Sequence, residues 1–297
     1  MAAKSILALG EVLWDVFPDG AKFGGAPANF ACGCAGLGGP LARVALASAV
    51  GGDDLGQRAV ERLAERGVDT ALVATRDRPT GQVLVCLDAA GRPSYQFIPD
   101  PAWDHVPWGE SLRTAASEAD VVCFGTLGQW ADESRRTIRA AVAAARPDAL
   151  RILDINLRPP YWTPEVVVES LALANVLKLN DEELPILAGL LNVGGEPENV
   201  LRAVMARHGL RYAALTRGPN GAVLLAADGR RSETPGVSVA VADTVGAGDA
   251  FTAALALGLT HGRGLDAINA WATAVAAYVC TQPGGTPTFP PEYRLTP

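Results

Sequence analysis

Residues 176–216 read VLKLNDEELPILAGLLNVGGEPENVLRAVMARHGLRYAALT. A short apolar run, Val176–Leu179, is followed by an amphipathic segment at Pro197–Arg207 and by a second apolar run at Tyr212–Thr216. Short apolar runs bounded by polar or Gly-rich breaks read as buried strands, and the segment between them reads as a helix. The same rhythm extends in both directions. Ile6–Leu9, Val44–Val50, Val121–Phe124 and Ile152–Ile155 are further strand patterns. Leu55–Arg66, Asp132–Ala145 and Leu265–Cys280 are further helical ones, with Asp132 and Ser134 offering N-cap oxygens to the second. Alternation at this spacing predicts an α/β fold in which helices cover both faces of a mostly parallel sheet.

Two stretches break the rhythm. Gln82–Asp88 and Ser94–Ile98 flank Ala89-Ala90-Gly91-Arg92-Pro93 and read as a hairpin, while Val12–Phe17 and Ala21–Phe23 are joined around Pro18-Asp19-Gly20. Four such strands, within about residues 12–24 and 81–101, form either a small lid sheet or an antiparallel extension of the main sheet. No repeat, low-complexity tract or interdomain linker interrupts the chain, so residues 1–297 read as one domain carrying this appendage.

Bulk properties narrow the function. Apolar residues make up 49% and charged residues 19%, enough for a sizeable core. The net charge of −7, without a Lys/Arg cluster, argues against a nucleic-acid partner. An anionic cofactor remains compatible if backbone amides and a metal hold it. The five cysteines, at 32, 34, 86, 123 and 280, form neither a disulfide framework nor a zinc-ligand spacing. Ile6–Leu9 is too short for a signal h-region and no membrane-length apolar span occurs, which leads to the expectation of a cytoplasmic, soluble protein with no membrane partner.

The strongest chemical signal is Asp243-Thr244-Val245-Gly246-Ala247-Gly248-Asp249-Ala250-Phe251, followed by the helical pattern Thr252–Leu259. Gly246 and Gly248 permit a sharp turn, and the amides of Gly246, Ala247 and Gly248 at a helix start can surround an anion. Asp249 beside that anion suits a base that takes a proton from an attacking hydroxyl. In isolation the run is equally a helix N-terminus. It is neither a Lys-bearing P-loop nor G-x-G-x-x-G, which removes the dinucleotide fingerprint. A second signal is Gly24-Gly25-Ala26-Pro27-Ala28-Asn29-Phe30-Ala31, with Asn29 one turn into a helix. Asp15 follows the first strand, where an open α/β sheet binds ligands, and can accept from two vicinal hydroxyls or simply close a turn.

Together, Gly24–Ala31 and Asp243–Phe251 resemble the paired signatures of the PfkB (ribokinase-like) carbohydrate kinase family, and the resemblance covers essentially the whole chain. It implies a three-layer α/β/α fold with a lid, ATP as phosphoryl donor and Mg²⁺. Asn180-Asp181-Glu182-Glu183 is similar to that family's N-x-x-E element, in which Glu183 would organise Mg²⁺ through water and Asn180 would lie near the phosphates; alone, it is also an acidic first helical turn. Thr216-Arg217-Gly218-Pro219-Asn220-Gly221 matches the T-x-G-x-x-G that lies against the nucleotide, with Arg217 either aimed at phosphates or solvated. Asn269 in the last helix is the matching contact for the base. A monovalent cation, K⁺, would use Asp243, the Val245 carbonyl and carbonyls near Gly284, although Gly284-Gly285 departs from the usual Gly-Ala. Some members dimerise through their lids, so the resemblance carries the expectation of a homodimer.

Within the family, Ala26-Pro27, Pro79-Thr80-Gly81, Pro101-Ala102-Trp103-Asp104, Gly125-Thr126-Leu127 and Asp154-Ile155-Asn156-Leu157-Arg158 look most like fructokinases. The expected sugar site therefore comprises Asp15, Gly24, Gly25, Asn29, Asn156 and Arg158. Phe97 and Trp103 act there either as ring-stacking faces or as lid packing. Kinases of ribose, 2-keto-3-deoxygluconate or a nucleoside, and a non-catalytic sensor on the same fold, are the alternatives.

Overall fold

The structure is a computed structural model that describes residues 2–17, 20–87 and 93–296. The chain opens with β1 (Lys4–Leu9), β2 (Leu13–Phe17) and β3 (Gly20–Gly24), then α1 (Ala26–Gly38), β4 (Ala42–Gly51) and α2 (Asp54–Glu65). Next come β5 (Val73–Arg76), β6 (Gly81–Leu87), β7 (Pro93–Phe97), α3 (Glu110–Glu118), β8 (Val121–Phe124) and α4 (Asp132–Ala144). The second half begins with β9 (Leu150–Asp154), α5 (Pro164–Leu173), β10 (Val176–Asn180), α6 (Glu183–Leu191) and α7 (Pro197–His208). It closes with β11 (Tyr212–Thr216), β12 (Ala222–Ala226), β13 (Arg231–Thr234), α8 (Ala247–Thr260) and α9 (Leu265–Cys280).

Nine strands form one sheet in the order β13-β12-β11-β10-β9-β8-β1-β4-β5, parallel from β11 to β5 and antiparallel at β12 and β13. Successive strand residues face opposite sides. Ile6, Ala8, Val44, Leu46, Val121, Cys123 and Ile152 belong to one core, which also holds the buried faces of α1, α8 and α9. Leu7, Leu9, Val122, Phe124, Leu153, Leu177 and Leu179 belong to the other, with α3 to α7. This double burial explains why the strands read as continuous apolar runs rather than alternating ones. It is the predicted three-layer α/β/α arrangement. Among the described residues no helix is long and apolar enough to cross a membrane.

The four remaining strands form a separate sheet, β3-β2-β6-β7, so the rhythm-breaking segments build a lid rather than an extension of the main sheet. Pro18, Asp19 and residues 88–92 lie outside the described residues. In register, Asp15 pairs with Lys22 and with Val83, and Val83 with Phe97, so these side chains share one face. Trp14 and Phe23, on the opposite face, meet edge-to-face and join the main core. The root of β6 is tied to the body. Thr80 is fully buried, donates from Oγ1 to Asp53 Oδ1 (2.6 Å) and accepts from the Gly51 amide (2.9 Å), while its own amide donates to Asp53 Oδ2 (2.8 Å). Asp53 is at the same time the N-cap of α2.

One local expectation is corrected. Ala131, without a side-chain cap, precedes α4. Ser134 instead accepts from the Val106 amide and donates to the Trp103 carbonyl, because this buried hydroxyl finds its partners across the helix–loop interface.

Candidate active site

The carboxyl ends of the parallel strands all open on one side. After β1 comes Glu11, with Asp15 on the next strand, β2 of the lid; after β9 come Asn156 and Arg158, and at the ends of β10 and β11 Asn180 and Thr216. This edge is where an open α/β sheet holds its ligands.

The N-terminus of α8 occupies the centre. Gly246, its N-cap, has φ +79°, and a Cβ there would lie 2.5 Å from Gly285 Cα, so both conformation and space require glycine. Ala247 makes a long 3.4 Å bond to the Thr244 carbonyl. The amides of Gly248 and Asp249 have no acceptor within the helix and face outward at its positive end. Asp249 Oδ2 accepts from Asn29 Nδ2 at 2.9 Å. Burial of the carboxyl and the nearby Asp154 charge push its pKa up to about 6, against the lowering effects of Asn29, Lys178 and Arg158. A carboxylate with this pKa beside anion-binding amides is suited to accept a proton near neutral pH.

Asn29 is reached because α1 starts at Ala26-Pro27 directly after Gly25, whose φ of +106° and 2.6 Å virtual Cβ contact with the Glu11 carbonyl exclude a side chain. The Asn29 Oδ1 is buried and has no partner among the described residues. Gly24 lies beside Asp15, whose Oδ2 is 3.3 Å from the point a Cβ would occupy. The Asp15 pKa is raised, first by burial, with Arg158 acting in the opposite direction. Arg158 also lowers the pKa values of Glu11 and Asp249, so its charge is felt by all three carboxyl groups. Asn156, held at φ +36°, lines a small cavity with Glu11, Gly125, Thr126, Asp154 and Asp249. Phe97 meets Trp103 (6.1 Å between ring centroids) and Tyr161 (4.6 Å). Trp103 is buried beneath Gly81, where it packs, and Phe97 bridges from the lid to Tyr161.

Asn180 and Glu183 form a reciprocal capping box. Asn180 Oδ1 accepts from the amides of Glu182 (3.0 Å) and Glu183 (2.8 Å), and Glu183 Oε2 accepts from the Asn180 amide (2.9 Å). Glu183 Oε1 also accepts from the Leu157 amide (2.8 Å), which ties this corner to the loop bearing Asn156 and Arg158. Among the described residues no three His, Cys, Asp or Glu cluster as a metal cage. That donor set fits Mg²⁺, which keeps several waters and takes most other ligands from phosphates. Each Glu183 oxygen retains a lone pair for such a water.

Thr216 lies in register with Asn180, and the turn Gly218–Gly221 follows it directly, so the two predicted nucleotide-side elements are neighbours. Arg217 is not directed to that edge. Its Nη2 donates to Glu233 (2.8 Å), because an acidic partner on β13 is within reach. Asn269 is likewise set apart. It is fully buried in the seam between α9 and β12, donating to the Ala222 carbonyl and the Ser232 hydroxyl. Asp243 accepts from the amides of Val245 (3.1 Å) and Gly284 (3.2 Å) and pairs with Lys22 (3.4 Å). The groups aimed at it are N–H donors and an ammonium, a poor fit to a monovalent cation.

Three groups at the centre carry no expectation from the sequence. Glu11 is buried, accepts from the Ala26 amide (3.1 Å), and burial lifts its pKa to about 7. Lys178 and Asp154 form a buried ion pair at 3.0 Å beneath α8. A lysine within the apolar run 176–179 was the available signal.

Known proteins resemble this chain in sequence and in fold. The model of the "pfkB family carbohydrate kinase" matches residues 10–292. A fructokinase of Salmonella typhimurium is 33% identical, covering 86% of this chain and 84% of its own. An uncharacterized sugar kinase of Pyrococcus horikoshii, solved with ATP, superposes with a TM-score of 0.79 at 29% identity, over 95% of this chain and 94% of its own. A fructokinase of Xylella fastidiosa with bound ATP superposes at 0.83, at 23% identity over 95% and 94% of the two chains.

Proposed function

The chain belongs to the pfkB family of carbohydrate kinases, and from that premise we propose that it transfers the γ-phosphoryl group of ATP to a hydroxymethyl group of fructose. The observation that carries the reading is Asp249 in the first turn of α8, hydrogen-bonded to Asn29 beside the glycine-built amide pocket. In this reading Asp249 takes the hydroxyl proton while the sugar oxygen forms its bond to the γ-phosphorus and the bond to ADP breaks. The outward-facing amides of Gly248 and Asp249, at the turn built by Gly246 and Ala247, hold the equatorial oxygens as charge develops. Asp15, Asn29 Oδ1, Asn156 and Arg158 take the sugar hydroxyls, and the lid face bearing Asp15, Val83 and Phe97 excludes water. Asn180, Thr216, Gly218 and Gly221 border the nucleotide, and Asn180 and Glu183 would hold the waters of Mg²⁺. When bound, that ion would offset charge on the phosphates.

Fructose is favoured by the named relative Salmonella typhimurium fructokinase and by the Asp154–Arg158 and Gly24–Asn29 stretches. The test is ADP release with fructose, ribose, adenosine and 2-keto-3-deoxygluconate, compared by kcat/KM. A higher value for any of the other three would replace fructose. Asp249→Asn is expected to lower kcat by about 10²–10⁴ with little change in sugar affinity. Near-normal turnover in that variant would remove Asp249 as the base.

A further inference from the structure

The chemistry above leaves one buried charge without a task. Lys178 is the one fully buried cation among the described residues, at 6% exposure. Its Nζ lies 3.0 Å from Asp154 Oδ1, and the other Asp154 oxygen accepts from Thr252 Oγ1 at 2.8 Å. That hydroxyl also reaches the Gly248 carbonyl at 2.9 Å, so the pair is fastened to the first turns of α8. A methyl group on Gly248 would sit 3.0 Å from Lys178 Nζ, which brings the ammonium against the underside of the turn presenting Gly248 and Asp249.

Stability alone is a weak reason to keep such a pair. Replacing a buried ion pair with well-packed apolar residues is often neutral or favourable, because desolvation offsets the attraction. Here burial works against the charged lysine, yet Asp154, Glu183 and Asp249 together outweigh it and raise its pKa above the ordinary value.

We propose that Lys178 is a positioning residue for phosphoryl transfer: clamped by Asp154 beneath Gly248, its ammonium is the fixed positive charge behind the amide pocket, against which Asp249 stays ionised. The proposal rests on the kinase reading. The groups that face Asp249 are Asn29 from α1, Glu11 after β1, Cys123 from β8, Asp154 from β9, Arg158 from the following loop and Lys178 from β10. Asp154 disfavours the ionised base and Lys178 favours it. Removing the ammonium alone therefore leaves Asp154 acting unopposed, whereas removing both charges does not.

Two measurements test this on the full-length enzyme: the pH profile of kcat/KM by ADP release, and ¹³C NMR titration of the Asp249 carboxyl. The wild-type profile should fall on the acid side near pH 6, where Asp249 takes up a proton. In Lys178→Met the limb and the carboxyl titration should both move to higher pH by roughly one unit. Plateau kcat should fall about 10²-fold. The double variant Asp154→Asn/Lys178→Met, which retains a neutral pair, should return the limb toward wild type while kcat stays low. An Asp249 titration unmoved in Lys178→Met, or a double variant that keeps the displaced limb, would overturn the proposal. Absence of ADP release from wild type with every sugar would instead overturn the kinase reading, and the NMR titration would still decide the role of the ammonium.

Discussion

A glutamate that neither composition nor motif singles out carries the clearest pH signature of the molecule. Glu11 is 3% exposed, and burial raises its pKa from 4.5 to about 7. The native state therefore holds a proton that the unfolded chain releases, and stability falls as pH rises through the window from 4.5 to 7. Glu11→Gln removes that dependence and keeps an oxygen for the Ala26 amide. At pH 8 the variant is expected to be more stable than wild type by up to about 3 kcal/mol. The gain should shrink toward zero near pH 4.5, as urea unfolding would record. An equal difference at both pH values would refute the assignment. At this scale legibility was uneven. Asp15, Asn29 and Asp249 could be found because glycines or a strand end frame them in sequence. Glu11, Asp154 and Lys178 acquire meaning only when β1, β9 and β10 lie side by side. Arg217 and Asn269 show the converse, since their partners, Glu233 and Ala222, are brought to them by folding.

Among the elements, the turn before α8 tolerates little change. Gly246 has φ +79° and a Cβ there would lie 2.5 Å from Gly285 Cα, whereas Gly284 has a similar φ of +73° with no atom within 4 Å of a Cβ. Gly284→Ala should therefore cost only the left-handed strain, about 1 kcal/mol. Gly246→Ala should cost more in thermal unfolding and reduce kcat by at least about tenfold, because the displaced turn misplaces its amides. Equal losses for the two variants would show that the contact with Gly285 is unimportant. The central strands were legible from sequence, since burial on both faces writes them as unbroken apolar runs. Val121–Phe124 and Tyr212–Thr216 have the predicted bounds. β5 and β13 were not legible, being four-residue edge strands with one or more exposed positions each. β12 was not read either, although Ala222–Ala226 is a short, fully buried apolar run.

For the molecule as a whole, the site is a seam between a rigid body and a lid whose strands were predicted but whose attachment was not. Thr80 and Asp53 make that attachment, joining the start of β6 to the corner of β4 and α2. Thr80→Val conserves shape but leaves the Gly51 amide and an Asp53 oxygen short of a partner, a loss of about 1–3 kcal/mol. A loosened lid should admit water to the phosphoryl group. The ratio of ADP released without sugar to that released with sugar is expected to rise several-fold, on the order of the water-exclusion effects assigned to lids. A ratio equal to wild type would indicate that this corner does not govern closure. The fold also reconciles a net charge of −7 with an anionic nucleotide. Amides at one helix terminus and a lysine beneath it provide local positive potential where the total charge provides none.

The packing of α1 on α8 has a bearing on how the protein is made. Gly33 admits Ala253 so closely that a Cβ at Gly33 would lie 3.0 Å from the alanine methyl. The buried side of α1, including Phe30 and Leu37, thus waits for a helix translated more than two hundred residues later. A ribosome-bound chain ending before Gly246 must carry that apolar surface uncovered, which is the condition that recruits chaperones. Chains arrested at residue 240 should be cut by protease within α1, and chains extended past α9 should resist. Protection of α1 in the shorter chain would mean that another surface covers it during synthesis.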